Sequence, residues 1–420
     1  MDHLQIGSIG SALINPLTYQ DRTLYDDIVA SLRREDPLFW AEPEGYRPFW
    51  AVTKHADICE IERQPDVFLS GPRLELFTIE QECKVKESTG RDTAVGRTLL
   101  HMDGSEHRSY RGLSQGWFMP KNLQGIEQRL SQLSREYVDK MAAAGGEFDF
   151  VTEISELFPL TVILMILGLP TTEAAELLRL TRNFTGRDVL PVPPGMTRGD
   201  LIIKAAQDIF DYFGVVYDQR LKEPRDDVAS VIATARINGE LISRPEALSY
   251  YLLLGLAGHD TTNSTMSGGL LALIKNPREL AKLKANPDLI PTAVDEILRW
   301  VSPVNSFMRT ATRDYELRGK TVKGGDGILL LFGSGNRDED VFKDPFEFKV
   351  DRKPNPQISF GYGAHVCLGQ HLAKLELRAF FKELLSRLEN IELAGKPVLR
   401  AITTAYQIGS LPIRCQWNRQ

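Results

Sequence analysis

The amino-acid sequence predicts a mainly α protein with a smaller β portion. Three observations carry that expectation. Apolar residues recur at helical spacing over long runs, as in residues 18–35, 123–141, 150–167, 202–221 and 243–275. Stretches of strand character are few and short, chiefly residues 48–53, 315–332 and 401–408. No Pro/Ser/Gly-rich linker, charge block or repeat divides the 420 residues. Residues 1–420 are therefore expected to form one large domain, with core enough to enclose a ligand.

In chain order, Thr18 to Glu35 reads as an amphipathic helix with Leu24, Ile28, Val29 and Leu32 on one face. Pro48 to Thr53 reads as a strand, followed by a short helix to about Arg63. Residues 68–99 carry Gly71, Pro72, Gly90 and Gly96 and are expected to be irregular, which in a compact protein marks a functional or mobile loop. The run at 150–167 is apolar on nearly all sides and should be buried. Pro191, Pro193, Pro194 and Gly195 break the chain between two helical segments. Ser243-Arg244-Pro245-Glu246 is a capping box, serine capping and glutamate reaching back. The helix it opens should run to Lys275, roughly 45 Å at 1.5 Å per residue. Its middle, Gly255 to Thr262, holds glycines and paired threonines, which are poor helix formers. A local distortion is expected there, with side chains standing in for backbone hydrogen bonds.

Composition removes several function classes. The 50 basic and 56 acidic residues give no nucleic-acid footprint. Cys59, Cys83, Cys367 and Cys415 are far apart and form no Cys-x-x-Cys pair, against both a zinc site and a disulfide framework. Met1 to Asn15 lacks a signal pattern, and the strongest apolar run, Pro159 to Leu169, is too short to span a bilayer. A cytoplasmic protein with no membrane partner is the expectation.

The chemistry concentrates between Phe360 and Gly369, where one cysteine, Cys367, lies in a loop with three glycines ahead of an apolar-periodic helix. The glycines let backbone approach a flat object closely. A cysteine at a helix mouth meets unbonded N–H groups and the positive end of the macrodipole, and both favour thiolate. Most lone cysteines are small buried hydrophobes, and a nucleophile or a metal ligand both remain open on this loop alone. Elsewhere, His107 and Arg111 sit four apart on one helix face, on their own a solvated basic face. Glu296 and Arg299 are an i, i+3 pair, most often a surface ion pair.

The spacing Phe360-Gly361-x-Gly363-x-His365-x-Cys367-x-Gly369 resembles the haem-binding loop of the cytochrome P450 family, the haem-thiolate monooxygenases. Ala257-Gly258-x-Asp260-Thr261-Thr262 resembles that family's oxygen-activation motif, Glu296-x-x-Arg299 its fold anchor, and His107-x-x-x-Arg111 its early-helix motif, all in the family's order. The resemblance implies the cytochrome P450 fold, with a long central helix over haem b (iron protoporphyrin IX). It makes Cys367 the axial ligand and His107, Arg111, Arg309 and His365 the partners of the haem propionates, with Phe360, Gly361 and Gly369 shaping the loop. It gives Thr261 a hydrogen bond to dioxygen, Asp260 a proton relay, Gly258 the space that dioxygen needs, and His259 no role. It implies electrons from a ferredoxin-type donor with its reductase, and a mobile lid at about residues 184–198.

Gly258 to Thr262, Ser306 to Thr310 and Gly363 to Glu376 look like the bacterial terpineol-hydroxylating branch. That implies a small apolar substrate, a monoterpenoid or alkyl-aromatic, with Leu253, Leu256, Ala257 and Val304 as pocket residues. A polycyclic aromatic or sterol-like substrate is the alternative. Two other classes are a haem-binding sensor or carrier, which would need neither Asp260 nor Thr261, and a hydrolase using Cys367 with His365.

Overall fold

The computed structural model describes residues 6–90, 98–185 and 198–418. Helix α1 (Arg22–Glu35) starts where the Asp21 carboxylate accepts from the Thr23 and Leu24 N–H groups. Tyr25, Ile28, Val29 and Leu32 are buried, whereas Leu24, expected on that face, is 42% exposed. At about 100° per residue, the face is read by Tyr25 instead, leaving its neighbour outside.

Strands β1 (Leu38–Ala41) and β2 (Phe49–Val52), helix α2 (His55–Glu62) and strand β3 (Phe68–Leu69) follow. Helix α3 (Ile79–Thr89) occupies part of the segment expected to be irregular. Its Thr78/Gln81 capping box and the left-handed Gly90 at its end were legible. The apolar period was not, because the helix buries no continuous face. Gly96 lies outside the described residues.

Helices α4 (Gly104–Gln115) and α5 (Glu127–Ala143), strand β4 (Glu147–Asp149) and helix α6 (Leu157–Ile166) come next. As predicted, α6 is buried from Phe158 to Ile166 and sits in the main core. Helices α7 (Ala174–Thr185) and α8 (Arg198–Lys222) pack together. The prolines and glycine expected to hinge a lid lie outside the described residues.

The capping box at Ser243/Glu246 forms as expected. The long helix does not run unbroken. It is two helices, α9 (Arg244–Ala257) and α10 (Asp260–Lys275), interrupted at Gly258-His259. Helix α11 (Ile290–Val301) carries Glu296 and Arg299, both fully buried and paired through two hydrogen bonds of 2.7 and 2.8 Å. Arg299 also donates to the carbonyls of Asn336 and Pro345, each at 2.9 Å. The pair therefore ties α11 to the irregular segment ahead of the cysteine loop rather than decorating the surface.

Strands β5 (Ser306–Ala311) and β6 (Gly327–Leu331) complete a five-stranded sheet of order β1-β2-β6-β5-β3, with β6 parallel to β2 and antiparallel to β5. Every residue of β6 is buried, as a strand covered on both faces requires. Helix α12 (Gln370–Arg387) leads into β7 (Leu388–Leu393), which pairs with β8 (Pro412–Trp417), itself paired with β4. Residues 401–408, expected as a strand, are irregular up to Ile408, although Ala405 bridges Val304. Among the described residues no helix is long and apolar enough to cross a membrane.

Candidate active site

The loop between Phe360 and Gly369 turns on two left-handed glycines, Gly361 (φ 72°) and Gly363 (φ 67°). A Cβ on Gly363 would overlap the Glu62 carbonyl at the end of α2, so only glycine fits. The Cys367 N–H donates to the Phe360 carbonyl at 2.8 Å and closes the loop. Helix α12 starts at Gln370, so Cys367 lies just ahead of its mouth. Burial pushes the Cys367 thiol up, while the Gly369 N–H and the Arg111 charge pull it down. The loop alone therefore does not ionise the sulfur, contrary to the helix-mouth expectation. A bound cation does, because it displaces the proton of a coordinating thiol.

Cys367 faces an internal cavity of about 230 Å³. His107 and Arg111 of α4, Leu253 and Ala257 of α9, Thr261 of α10, Val304, and Arg309 of β5 line it together with Phe360, Gly361, His365 and Gly369. Residues spread from 107 to 369 in sequence thus line one cavity. Leu256 is the exception: it packs against the main core and does not line the cavity. It lies about 100° round the helix from Ala257 and 300° from Leu253, off the face that the i, i+4 pair Leu253/Ala257 presents. Asp260 is also off the wall. Thr262 and Thr265 are on it, and the helical spacing from Thr261 and Gly258 could have found them. A second hollow of about 590 Å³ lies between α8 and the start of α9, but its lining includes Glu106, Asp211, Arg244 and Glu246 and no cysteine.

The cavity rim is charged and buried. His107 is 3% exposed, and its Nε2 has no hydrogen-bond partner among the described residues. Its ring stacks on His365 at 4.1 Å between centroids. Burial, the neighbouring His365 and the Arg111 charge push His107 down to about 4, so it is neutral at neutral pH. Arg111 donates to the Val366 carbonyl at 2.8 Å. Arg309 pairs with Glu62 at 2.6 Å and donates to the Met308 carbonyl at 2.7 Å. Glu62 was missed by the sequence reading. It sits in an alternating charged stretch like any surface helix end, and its partner is remote in sequence.

At the break in the central helix, side chains do replace backbone donors. The Thr261 hydroxyl donates to the Ala257 carbonyl at 3.2 Å, and His259 Nδ1 lies 2.7 Å from the Gly255 carbonyl. A Cβ on Gly258 would overlap Ile163 of α6 and the Leu254 carbonyl. Gly258 lines the cavity, and the side on which a Cβ would sit is packed by Ile163, so glycine there also meets a packing requirement.

Glu376 of α12 lines the cavity at 1% exposure, and burial pushes its carboxyl well above the usual range. The folded protein keeps a proton there that the unfolded chain loses above about pH 4.3. Stability therefore falls as pH rises above that value. Glu376→Gln should remove this slope and hold the melting temperature within about 3 °C near pH 5. Thermal unfolding across pH 4.5–8 checks it.

The family model described as Cytochrome P450 matches residues 199–409. Cytochrome P450-terp of Pseudomonas sp is 38% identical over 414 residues, covering 97% of each chain. This chain belongs to the cytochrome P450 family. Linalool 8-monooxygenase of Pseudomonas putida is 32% identical to this P450 over 384 residues, covering 91% of this chain and 93% of the relative. The crystal structure of CYP108D1 from Novosphingobium aromaticivorans matches with a TM-score of 0.91 at 34% identity, covering 98% and 99% of the two chains. The protein is accordingly a bacterial-type P450 monooxygenase resembling the terpineol branch. As a P450 it uses a haem-thiolate cofactor, dioxygen and redox partners. The site fits such a cofactor. It offers one soft sulfur, an apolar interior, a glycine cradle, and a rim where the buried His107 Nε2 is unpaired and Arg111 and Arg309 converge. Among the described residues no three His, Cys, Asp or Glu side chains group to hold a metal by themselves.

Proposed function

We propose that this P450, acting as one domain over residues 1–420 in the cytoplasm, hydroxylates a small apolar molecule, a monoterpenoid or alkyl-aromatic. Dioxygen is the oxidant, and a ferredoxin served by its reductase supplies the electrons. The observation that carries the substrate class is the cavity wall facing Cys367. Leu99, Leu253, Ala257, Val304 and Phe307 offer apolar contact, and the central helix adds the hydroxyls of Thr261, Thr262 and Thr265. The relative named for linalool supports the same class.

In this reading Cys367 is the sole protein ligand of haem b. His107, Arg111, Arg309 and His365 hold its propionates, while Phe360, Gly361 and Gly369 shape the loop behind the sulfur. The haem, when bound, supplies dioxygen activation and oxidation of an unactivated C–H bond. The protein's own groups do the rest. Cys367 supplies electron density from a buried, hydrogen-bonded sulfur. Leu253, Ala257 and Val304 exclude water and orient the substrate. Thr261 holds a hydroxyl on the wall, anchored on the Ala257 carbonyl, and Asp260 behind it relays protons from solvent.

The test has two arms. Terpenes and alkylbenzenes should produce the low-to-high-spin absorbance shift of the oxidised enzyme. A shift confined to polycyclic aromatics or sterols would replace the substrate class. Thr261→Ala should retain haem but divert reducing equivalents to hydrogen peroxide, measured as product formed per reduced nicotinamide consumed in the reconstituted system. Unchanged coupling would remove the role given to Thr261.

A further inference from the structure

We propose that Glu62, which no sequence motif singles out, is a positioning residue that holds the haem reduction potential down by matching the charge of Arg309. The inference rests on the reading above that Arg309 holds a propionate, and deepens it.

Glu62 ends α2 and lines the cavity that Cys367 faces. One carboxylate oxygen, Oε1, lies 2.6 Å from Arg309 Nη2, and the two side chains are 2% and 5% exposed. Oε1 has no well-directed hydrogen bond among the described residues, so charge rather than hydrogen-bond geometry holds this contact. The other oxygen, Oε2, accepts from the Tyr362 N–H of the cysteine loop at 3.4 Å. The Glu62 carbonyl, in turn, fills the place where a Cβ on Gly363 would sit. Side chain and backbone of one residue thus touch both the propionate arm and the loop that carries the sulfur.

Arg309 is gripped a second time, because its Nη1 donates to the Met308 carbonyl at 2.7 Å. A guanidinium has five N–H donors, so enough remain for a propionate. The next residue after Glu62, Arg63, is exposed and lies over the Tyr362 ring at 4.8 Å, donating to that hydroxyl at 3.1 Å. Arg309 is therefore the cation that Glu62 meets inside the cavity.

The electrostatic consequence follows from burial, which leaves the pair poorly screened by salt. Arg309 brings little net charge to the rim, since Glu62 matches it, and His107 is neutral at neutral pH. Two of the four propionate partners thus offer hydrogen bonds with little net positive charge. Adding an electron to the haem is harder beside a buried carboxylate than beside a neutral amide of the same shape. Glu62 accordingly favours the ferric form.

The test is a redox titration of the substrate-free holoenzyme, followed by absorbance. Glu62→Gln keeps the length and an acceptor for the Tyr362 N–H but loses the charge. It should shift the ferric–ferrous equilibrium about tenfold towards ferrous, a rise of about 59 mV for one electron. Arg309→Gln deletes a cation and should lower the potential. A general loosening of the site would move both variants in the same direction. That result, or a wild-type potential in Glu62→Gln, would overturn the proposal. Glu62→Asp retains the charge and should retain the potential; a rise as large as that of Glu62→Gln would make length the cause and overturn it as well. If Glu62→Gln takes up no haem, Glu62→Ala is the second uncharged variant, with the same expected rise. Haem transfer to apomyoglobin tests the reading beneath. It should be at least about tenfold faster from Arg309→Gln, and a wild-type rate would remove Arg309 from the propionates. Fast transfer from Arg309→Gln with an unchanged potential in Glu62→Gln would sink the Glu62 inference alone.

Discussion

Cys367→Ser is expected to abolish monooxygenase turnover and to remove the strongly red-shifted Soret band of the reduced, carbon monoxide-bound enzyme. The substitution changes one atom. The loop around it is held by the Cys367 N–H to Phe360 carbonyl bond and by the Gly363 contact with Glu62. Neither involves the sulfur, so fold and rim should persist. What disappears is the soft, polarisable donor, since a serine hydroxyl is a harder ligand and far less readily deprotonated than a thiol. The absorption spectrum and the product assay should fall together while the melting temperature of the protein changes by only a few degrees. A variant that kept the red-shifted band would mean that the thiolate comes from Cys59, Cys83 or Cys415.

Arg299→Ala should be the most damaging single change away from the cavity, at about 3–5 kcal/mol of stability. The Glu296 carboxylate accepts from Arg299 and from Arg352 Nε at 3.0 and 3.1 Å, and from the Lys349 backbone N–H at 3.0 Å. Removing one guanidinium leaves a buried carboxylate short of donors, and the Asn336 and Pro345 carbonyls lose theirs as well. Arg299→Lys should be nearly as harmful, because an ammonium cannot reproduce the two-pronged contact. Thermal unfolding and the rate of haem loss report both. A loss under 1 kcal/mol would return the pair to the status of an ordinary surface bridge.

Much of the site was readable because its chemistry is local in sequence. The Cys367 loop, the Gly258 to Thr262 break and the His107/Arg111 face each declare themselves within ten residues. The capping box at Ser243 worked for the same reason. What escaped was set by distant neighbours. Glu62 meets Arg309 only because α2 packs under the cysteine loop. Gly258 lines the cavity as its motif suggests, but only the position of Ile163 reveals that its Cβ side is packed. Leu24 and Leu256 were misplaced by one helical step, since an apolar residue at the edge of a stripe fits either side.

The parallel pairing of β2 with β6 has a consequence for biogenesis. Trp50 is in register with Ile328, and the Glu62 carbonyl backs Gly363. The cavity is therefore assembled from segments far apart in the polypeptide. A nascent chain must leave one edge of the β1–β2 pair open until β6 has been made, an ordering that high contact order makes slow. Cofactor capture is thereby a late, post-translational event. Low haem supply during expression should expose sheet edges and apolar surface, and favour aggregation over accumulation of a soluble, empty protein.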